Sequence, residues 1–312
     1  MRKILLLFPI VLCSCANNQN VDEFSNKEIE SVEISISSLK SDFQSRVYFD
    51  VSDKLSKWQE NDTVGIFPNK GGQVEFPITE ESYNSTKAVF DGGGWALKRG
   101  YNYSAYYPYN FYNRNVNKIP FSFVGQIQDG DNTSSHMGKY TSLISKPTSV
   151  NEGALIFQMG FTEFFFRVAL TLPEAKTYTS LELHTDGKII PVKKSYNILA
   201  NDYEEEVIEY SDHLGVELKN ITTTAPNQVI KVWMVFPYMN PEGKTLTAVV
   251  KDSQGGVYVG DVMRAGSTFI FGTNSIVRNY VYALTATPQP TNGVTGSIEN
   301  WEIGEVIMGS AN

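Results

Sequence analysis

Apolar and polar residues alternate in short runs from residue 32 to residue 287, and the helical spacing of three and four hardly appears. Val32, Ile34 and Ile36 alternate with Glu33 and Ser35, and Leu39 extends the run, as in a strand with one buried face. Further strands are predicted at 47–49, 63–67, 87–90, 101–109 and 121–124. A second series follows at 155–159, 163–172, 181–184, 215–218, 229–237, 245–251, 257–259, 268–271 and 280–287. Gly, Pro, Asn or Asp bound these runs, residues that turn the chain or leave a ladder. Short strands so spaced predict an all-β fold of sandwich type, not alternating strands and helices. The polar stretch 145–153 separates the two series, so two β-sandwich domains are expected, 28–150 and 151–312. A short helix is expected at most at 174–177 or within 195–209, where Glu204-Glu205-Glu206 reads as a solvated face.

The first residues carry a different pattern. Arg2 and Lys3 precede an apolar run from Ile4 to Leu12, which ends in Leu12-Cys13-Ser14-Cys15. This is the layout of a secretory signal, and the last four residues match a lipobox with Cys15 as the lipidated position. The chemistry needs a thiol there because the sulfur takes the diacylglycerol before cleavage. An ordinary signal peptide with an incidental cysteine is the plainer alternative. Residues 1–15 are therefore expected to be a lipoprotein signal and 16–27, rich in Asn and Gln, a tether. The apolar run is well short of the ~20 residues that span a bilayer. Export to the outer membrane and cell surface on a lipid anchor is the expected location. Cys13 and Cys15 are the only cysteines, so the mature chain would have no disulfide.

Composition narrows the function. The chain is 41% hydrophobic with 18 Phe and 17 Tyr, enough for a sizeable core. Its formal net charge of −8, without a long basic cluster, argues against nucleic acid and against anionic membrane surfaces. Catalytic signatures are missing: there is no Gly-x-Ser-x-Gly, phosphate loop or His-Glu-x-x-His. Catalytic residues, metal and cofactor are expected to be none. His136, His184 and His213 read as ordinary surface groups. Asp129-Gly130-Asp131-Asn132 reads as a turn, since it lacks the spacing and distal Glu of a calcium loop. Gly92-Gly93-Gly94 is a hairpin connection, and Glu163 and Asp186 have no defined carboxylate partner. The aromatic run 101–112 is the one place for a ligand: Tyr103, Tyr106 and Tyr109 could stack on sugar rings if they form an exposed platform. Core packing is the competing reading for those tyrosines.

Several ordered segments carry a family likeness. Ser45-Arg46-Val47-Tyr48-Phe49 is followed by the run from Trp58 through Asp62 to Phe67. Tyr103-Ser104-Ala105-Tyr106-Tyr107-Pro108-Tyr109 comes next, and Val235-Phe236-Pro237, the strands 243–251 and 266–284, and Ile298 to Gly304 with Trp301 complete the set. With the lipobox, this set resembles the fimbrillin-like lipoproteins, surface-fibre subunits of Gram-negative anaerobes. The resemblance implies two transthyretin-like β-sandwich domains in tandem. It further implies cleavage after an Arg near the N-terminus, loss of the first strand, and filling of the vacated groove by a neighbour's C-terminal strand. Head-to-tail addition that does not close then yields a fibre. On this chain the removable strand would hold Val32, Ile34 and Ile36, processing would fall at Arg46, and Ile303, Val306 and Met308 would form the donor strand. Glu305 shares the phase of Ile303, which leaves the donor register open. The implied partners are neighbouring subunits, an outer-membrane lipid anchor and a host protein or glycan. The plainer readings are a retained edge strand, a surface arginine and a tail paired within its own domain. A stand-alone surface lipoprotein that binds glycan or host protein is the rival function.

Overall fold

β-branched and aromatic residues at alternate positions leave this chain little choice but strands, and strands account for most of the described residues. The computed structural model describes residues 31–36, 48–49, 56–92, 98, 100–149, 155–200, 204–273, 276, 278 and 280–291. The all-β class is as expected. Helix is confined among the described residues to Met137–Tyr140 and a single 3₁₀ turn at Glu80–Ser82.

The first large sheet runs in the order Val74–Pro77, Thr63–Pro68, Asn102–Tyr107, Leu143–Ser145, Leu155–Phe161, Ser31–Ile36, Lys87–Asp91. Its two ends meet. Ile78, just past the first of these strands, bridges to Phe90 in the last, and the Thr79 N–H donates to the Val89 carbonyl at 3.0 Å.

The second sheet runs Gln228–Pro237, Glu163–Leu172, Val281–Ala286, Val257–Arg264, Thr247–Asp252, Tyr178–His184, His213–Lys219, Gln126–Asp129. It too is drawn closed, by side chains. The Gln126 amide donates to the Val235 carbonyl at 2.7 Å and accepts the Val235 N–H at 2.8 Å. Gln128 donates to the Lys231 carbonyl at 2.8 Å and accepts the Trp233 N–H at 2.7 Å. Two buried amides thus imitate a strand along the free edge of Gln228–Pro237. The core beside this seam is aromatic: Phe166 lies 4.9 Å from Phe236, and Phe164 meets Tyr282 edge-on at 5.6 Å.

A third, three-stranded sheet joins Glu204–Ser211, Ile190–Asn197 and Ile119–Ser122. It corrects the expectation of helix within 195–209. Residues 174–177 form no helix either, and Glu204 to Glu206 are exposed on a strand.

Sheet membership does not follow the expected divide at 145–153. Leu155–Phe161 belongs to the first sheet, where it pairs with Ser31–Ile36 and Leu143–Ser145. Its hydrophobicity misled because it covers one face only: Leu155, Phe157 and Met159 are buried, while Ile156 is 52% exposed. Conversely, Ile119–Ser122 and Gln126–Asp129 pair with strands beyond residue 190.

The chain leaves the first sheet between Phe161 and Glu163, and no later strand among the described residues returns to it. There the fully buried Glu163 carboxylate accepts the Ser142 N–H at 2.8 Å, the Thr162 N–H at 3.1 Å and the Thr162 hydroxyl at 2.8 Å. Loss of water outweighs these bonds and pushes its pKa up to about 8.

Candidate functional site

Ser31–Ile36 is the element on which the sequence places most weight, and it is not an edge strand. It lies parallel to Leu155–Phe161, with Val32 opposite Leu155 and Ile34 opposite Phe157. On its other side it is antiparallel to Lys87–Asp91, with Val32 opposite Phe90 and Ile34 opposite Ala88. The pleat puts these six residues on one face, and all are buried, Val32 and Ile34 with no exposed surface. Glu33 points the other way, beside the exposed Ile156 and Val89.

Lifting this strand away would open a slot floored by core side chains and walled by two unpaired main-chain edges. Fully burying a Val or Ile side chain is worth about 1.5–3 kcal/mol, so the vacated slot would be costly. One wall is braced by aromatics: Trp58, fully buried, meets Phe90 at 5.0 Å and Tyr107 at 5.3 Å, both edge-on. Tyr107 in turn donates from its hydroxyl to the Asp62 carboxylate at 2.7 Å. Burial holds the Asp62 pKa above the usual carboxylate range and that of Tyr107 far above the phenol range.

Ile36 pairs through its backbone with Met159. Cys15, Arg46, Ile303, Val306 and Met308 lie outside the described residues.

The tyrosine platform does not exist. Tyr103 and Tyr106 are buried and Tyr109 is half-buried. Three residues apart on a strand, Tyr103 and Tyr106 face opposite ways, so they cannot share a plane. The Tyr106 ring lies flat on the next strand at Gly65, where a Cβ would sit 2.1 Å from its Cε1. Its hydroxyl donates to Gln73 Oε1 at 2.6 Å. These rings pack the core, and the aromatics that do face solvent are their loop neighbours, Phe111 and Tyr112. The signal that separates the two groups is position: Phe111 and Tyr112 follow Pro108 and lie beyond the strand.

The remaining candidates resolve into structure. The Asp131 carboxylate accepts the Lys231 N–H at 2.7 Å, Asp129 accepts the Asn220 amide at 2.7 Å, and Asn132 accepts the Trp233 indole N–H at 3.1 Å. The loop thus pins the strand Gln228–Pro237. Among the described residues no group of three or more His, Cys, Asp or Glu is placed to hold a metal. His136 is not a simple surface group. Its ring is half-buried, its Nε2 lies 3.1 Å from the Trp233 carbonyl, and burial lowers its pKa to about 4. His184 and His213 stack at 4.9 Å, each beside a carboxylate, Glu182 and Asp212. No helix among the described residues is long and apolar enough to cross a membrane.

No protein-family profile matches this sequence, and no curated protein matches it. Solved structures do. A candidate cell adhesion protein from Bacteroides uniformis aligns over 86% of this chain and 98% of its own, at 13% identity and a TM-score of 0.51.

The fold is shared.

A candidate cell adhesion protein from Bacteroides ovatus aligns over 84% of this chain and 95% of its own, at 13% identity and a TM-score of 0.46. The fimbrial anchor protein Mfa2 from Porphyromonas gingivalis aligns over 82% of this chain and 89% of its own, at 10% identity and a TM-score of 0.38. At 13% identity the likeness to the Bacteroides uniformis protein speaks to fold alone.

Proposed function

We propose that this chain is a structural or adhesive subunit of a cell-surface fimbria, exported as a lipoprotein on Cys15 and assembled by strand exchange, without catalysis. The observation that carries the reading is the placement of Ser31–Ile36: an inner strand, fully buried at Val32 and Ile34, supplied by the start of the chain. Cleavage after Arg46 would release it and leave the slot open. The shared fold with a candidate adhesion protein supports the same reading.

The slot also selects a donor register. Its inward positions are those of Val32 and Ile34, and the position between them, that of Glu33, faces outward. Placing Val306 and Met308 inward sets Glu305 outward, where a carboxylate stays solvated. The opposite phase would bury Glu305 beside Ile303. Of the proposed donor residues, Val306 and Met308 would then face in and Ile303 out.

N-terminal sequencing of fibre-associated protein tests the proposal. A first residue of Val47 is expected; one of Cys15, or any other position, rejects processing at Arg46.

A further inference from the structure

The loop that follows Asn102–Tyr107 carries the two most exposed aromatic rings among the described residues. Phe111 is 58% exposed and Tyr112 83% exposed. The rings meet edge-on at 5.6 Å, and the Arg114 guanidinium sits 4.4 Å over the Phe111 ring. Large apolar groups left in solvent mark recognition surfaces when the backbone beneath them is fixed.

This backbone is fixed from below. The buried Tyr106 hydroxyl accepts the Asn110 N–H at 3.1 Å. The Gln73 amide donates to the carbonyls of Asn110 and Phe111 at 2.9 and 3.1 Å. Asn110 Oδ1 accepts the Tyr112 N–H at 2.9 Å, and the Asn113 N–H donates to the Asn110 carbonyl at 3.0 Å.

Beside the loop lies a cavity of about 200 Å³, lined among others by Asn110, Asn113, Phe121, Ser122, Lys139 and Tyr140. That is room for one sugar ring, and well short of the ~300–1,000 Å³ of drug-sized pockets. Its lining mixes carboxamides, hydroxyls and aromatic rings, which suits a pyranose with polar edges and an apolar face. The charge is also distinctive. Lys139 is exposed and has no carboxylate partner among the described residues, and neither has Arg114. On a chain of net charge −8, Lys139 thus offers the cavity one cation that no carboxylate neutralises.

We propose that the 108–114 loop, together with Lys139 and Tyr140, binds a carboxylate-bearing pyranose. Phe111 and Tyr112 supply stacking faces, Asn110 and Asn113 hydrogen-bond the ring hydroxyls, and Lys139 pairs with the carboxylate. Binding needs neither strand removal nor polymer, so it stands or falls apart from the fimbrial reading.

Saturation-transfer NMR on the full chain tests it with three methyl glycosides: D-glucuronic acid, N-acetylneuraminic acid and D-glucose. One of the two acids is expected to bind at least fivefold more tightly than glucose and to weaken as salt is raised; which one identifies the source as uronate or sialate. Tyr112→Ala and Lys139→Ala, both at exposed positions, should each lower that affinity at least fivefold with an unchanged Tm, and Lys139→Ala should also remove the preference over glucose. Absence of binding by both acids, equal binding of glucose, or full affinity in both variants would overturn the proposal.

Discussion

In the first sheet the gap between Leu155–Phe161 and Lys87–Asp91 is filled by main chain, the strand Ser31–Ile36; in the second, the free edge of Gln228–Pro237 is met by side chains. A strand that satisfies its neighbours through backbone alone can be replaced by any other strand of suitable face. The seam of Gln126 and Gln128 cannot be replaced in that way, because its amides belong to a strand already paired with His213–Lys219. The difference teaches where exchange would be physically open: on the proposed reading the first sheet has an interchangeable part, whereas the second has a closure made of side chains. The third sheet ends in Glu204–Ser211 with no strand beyond it among the described residues. There the protection is charge, four Glu in eight residues, which is how soluble proteins keep edges from pairing.

The hardest test of this contrast is Ile34→Asp. An unpaired carboxylate pressed from this strand into the core should cost about 4 kcal/mol or more in urea denaturation. In a chain starting at Val47, a peptide of residues 300–312 added in trans should raise the Tm, and the same peptide carrying Met308→Asp should not. If the unmodified peptide has no effect, replaceability fails.

Next in size is Gln128→Leu. It leaves the buried Trp233 N–H without its partner, about 1–3 kcal/mol, while the Lys231 carbonyl keeps the Asn132 N–H at 3.0 Å. No added peptide should restore this loss. Rescue by a peptide would show that the seam is exchangeable too, and the contrast would vanish.

These two sites were not equally legible in the sequence. Val32, Glu33 and Ile34 follow the rule that apolar residues alternate toward the core, so both strand and buried face could be read directly. Gln126–Asp129 inverts the rule: Gln126 and Gln128 are buried while Ile127 is 36% exposed. The inversion has a physical cause, since the glutamines replace main chain along a neighbour's edge, and that neighbour is about a hundred residues distant in sequence. Glu204–Ser211 escaped notice because nearly all of its side chains are exposed, which erases any period. Lys194 hid the adjoining strand: it interrupts the apolar pattern, yet it is buried, with its ammonium on Glu205 at 3.0 Å and the Tyr238 carbonyl at 2.6 Å. The tyrosines failed as a ligand platform for a simpler reason, that a strand sends residues three apart to opposite faces.

Acidity separates two further positions, one at the seam and one where the chain leaves the first sheet. His136, against Trp233, has its pKa lowered to about 4 from an ordinary 6.5. Its contribution to stability is present above pH 6.5 and lost as pH falls toward 4. Glu163 has its pKa raised to about 8, so its contribution is full below about 4.5 and lost as pH rises through 8. Between 4.5 and 6.5 the two slopes oppose each other, and above 6.5 the Glu163 slope acts alone. At about 1.4 kcal/mol per unit, stability should fall by about 2 kcal/mol from pH 6.5 to 8. Glu163→Gln should flatten that limb, and His136→Gln should leave it unchanged. An unaltered limb in Glu163→Gln would show that the buried carboxyl is not its source.

The smallest effect is expected where the seam reaches solvent. Asp131 accepts the Lys231 N–H at 2.7 Å, one position along from the bonds of Gln128, but Asp131 is exposed. In Asp131→Ala, water can take the freed N–H, so the loss should be about 0.5–1.5 kcal/mol, the net worth of an ordinary hydrogen bond. The bonds of Gln128 have similar lengths, so any excess cost of Gln128→Leu over Asp131→Ala in the same denaturation series measures burial. Equal costs would mean that water reaches the Gln128 bonds as well, and that the second sheet is held shut by its core alone.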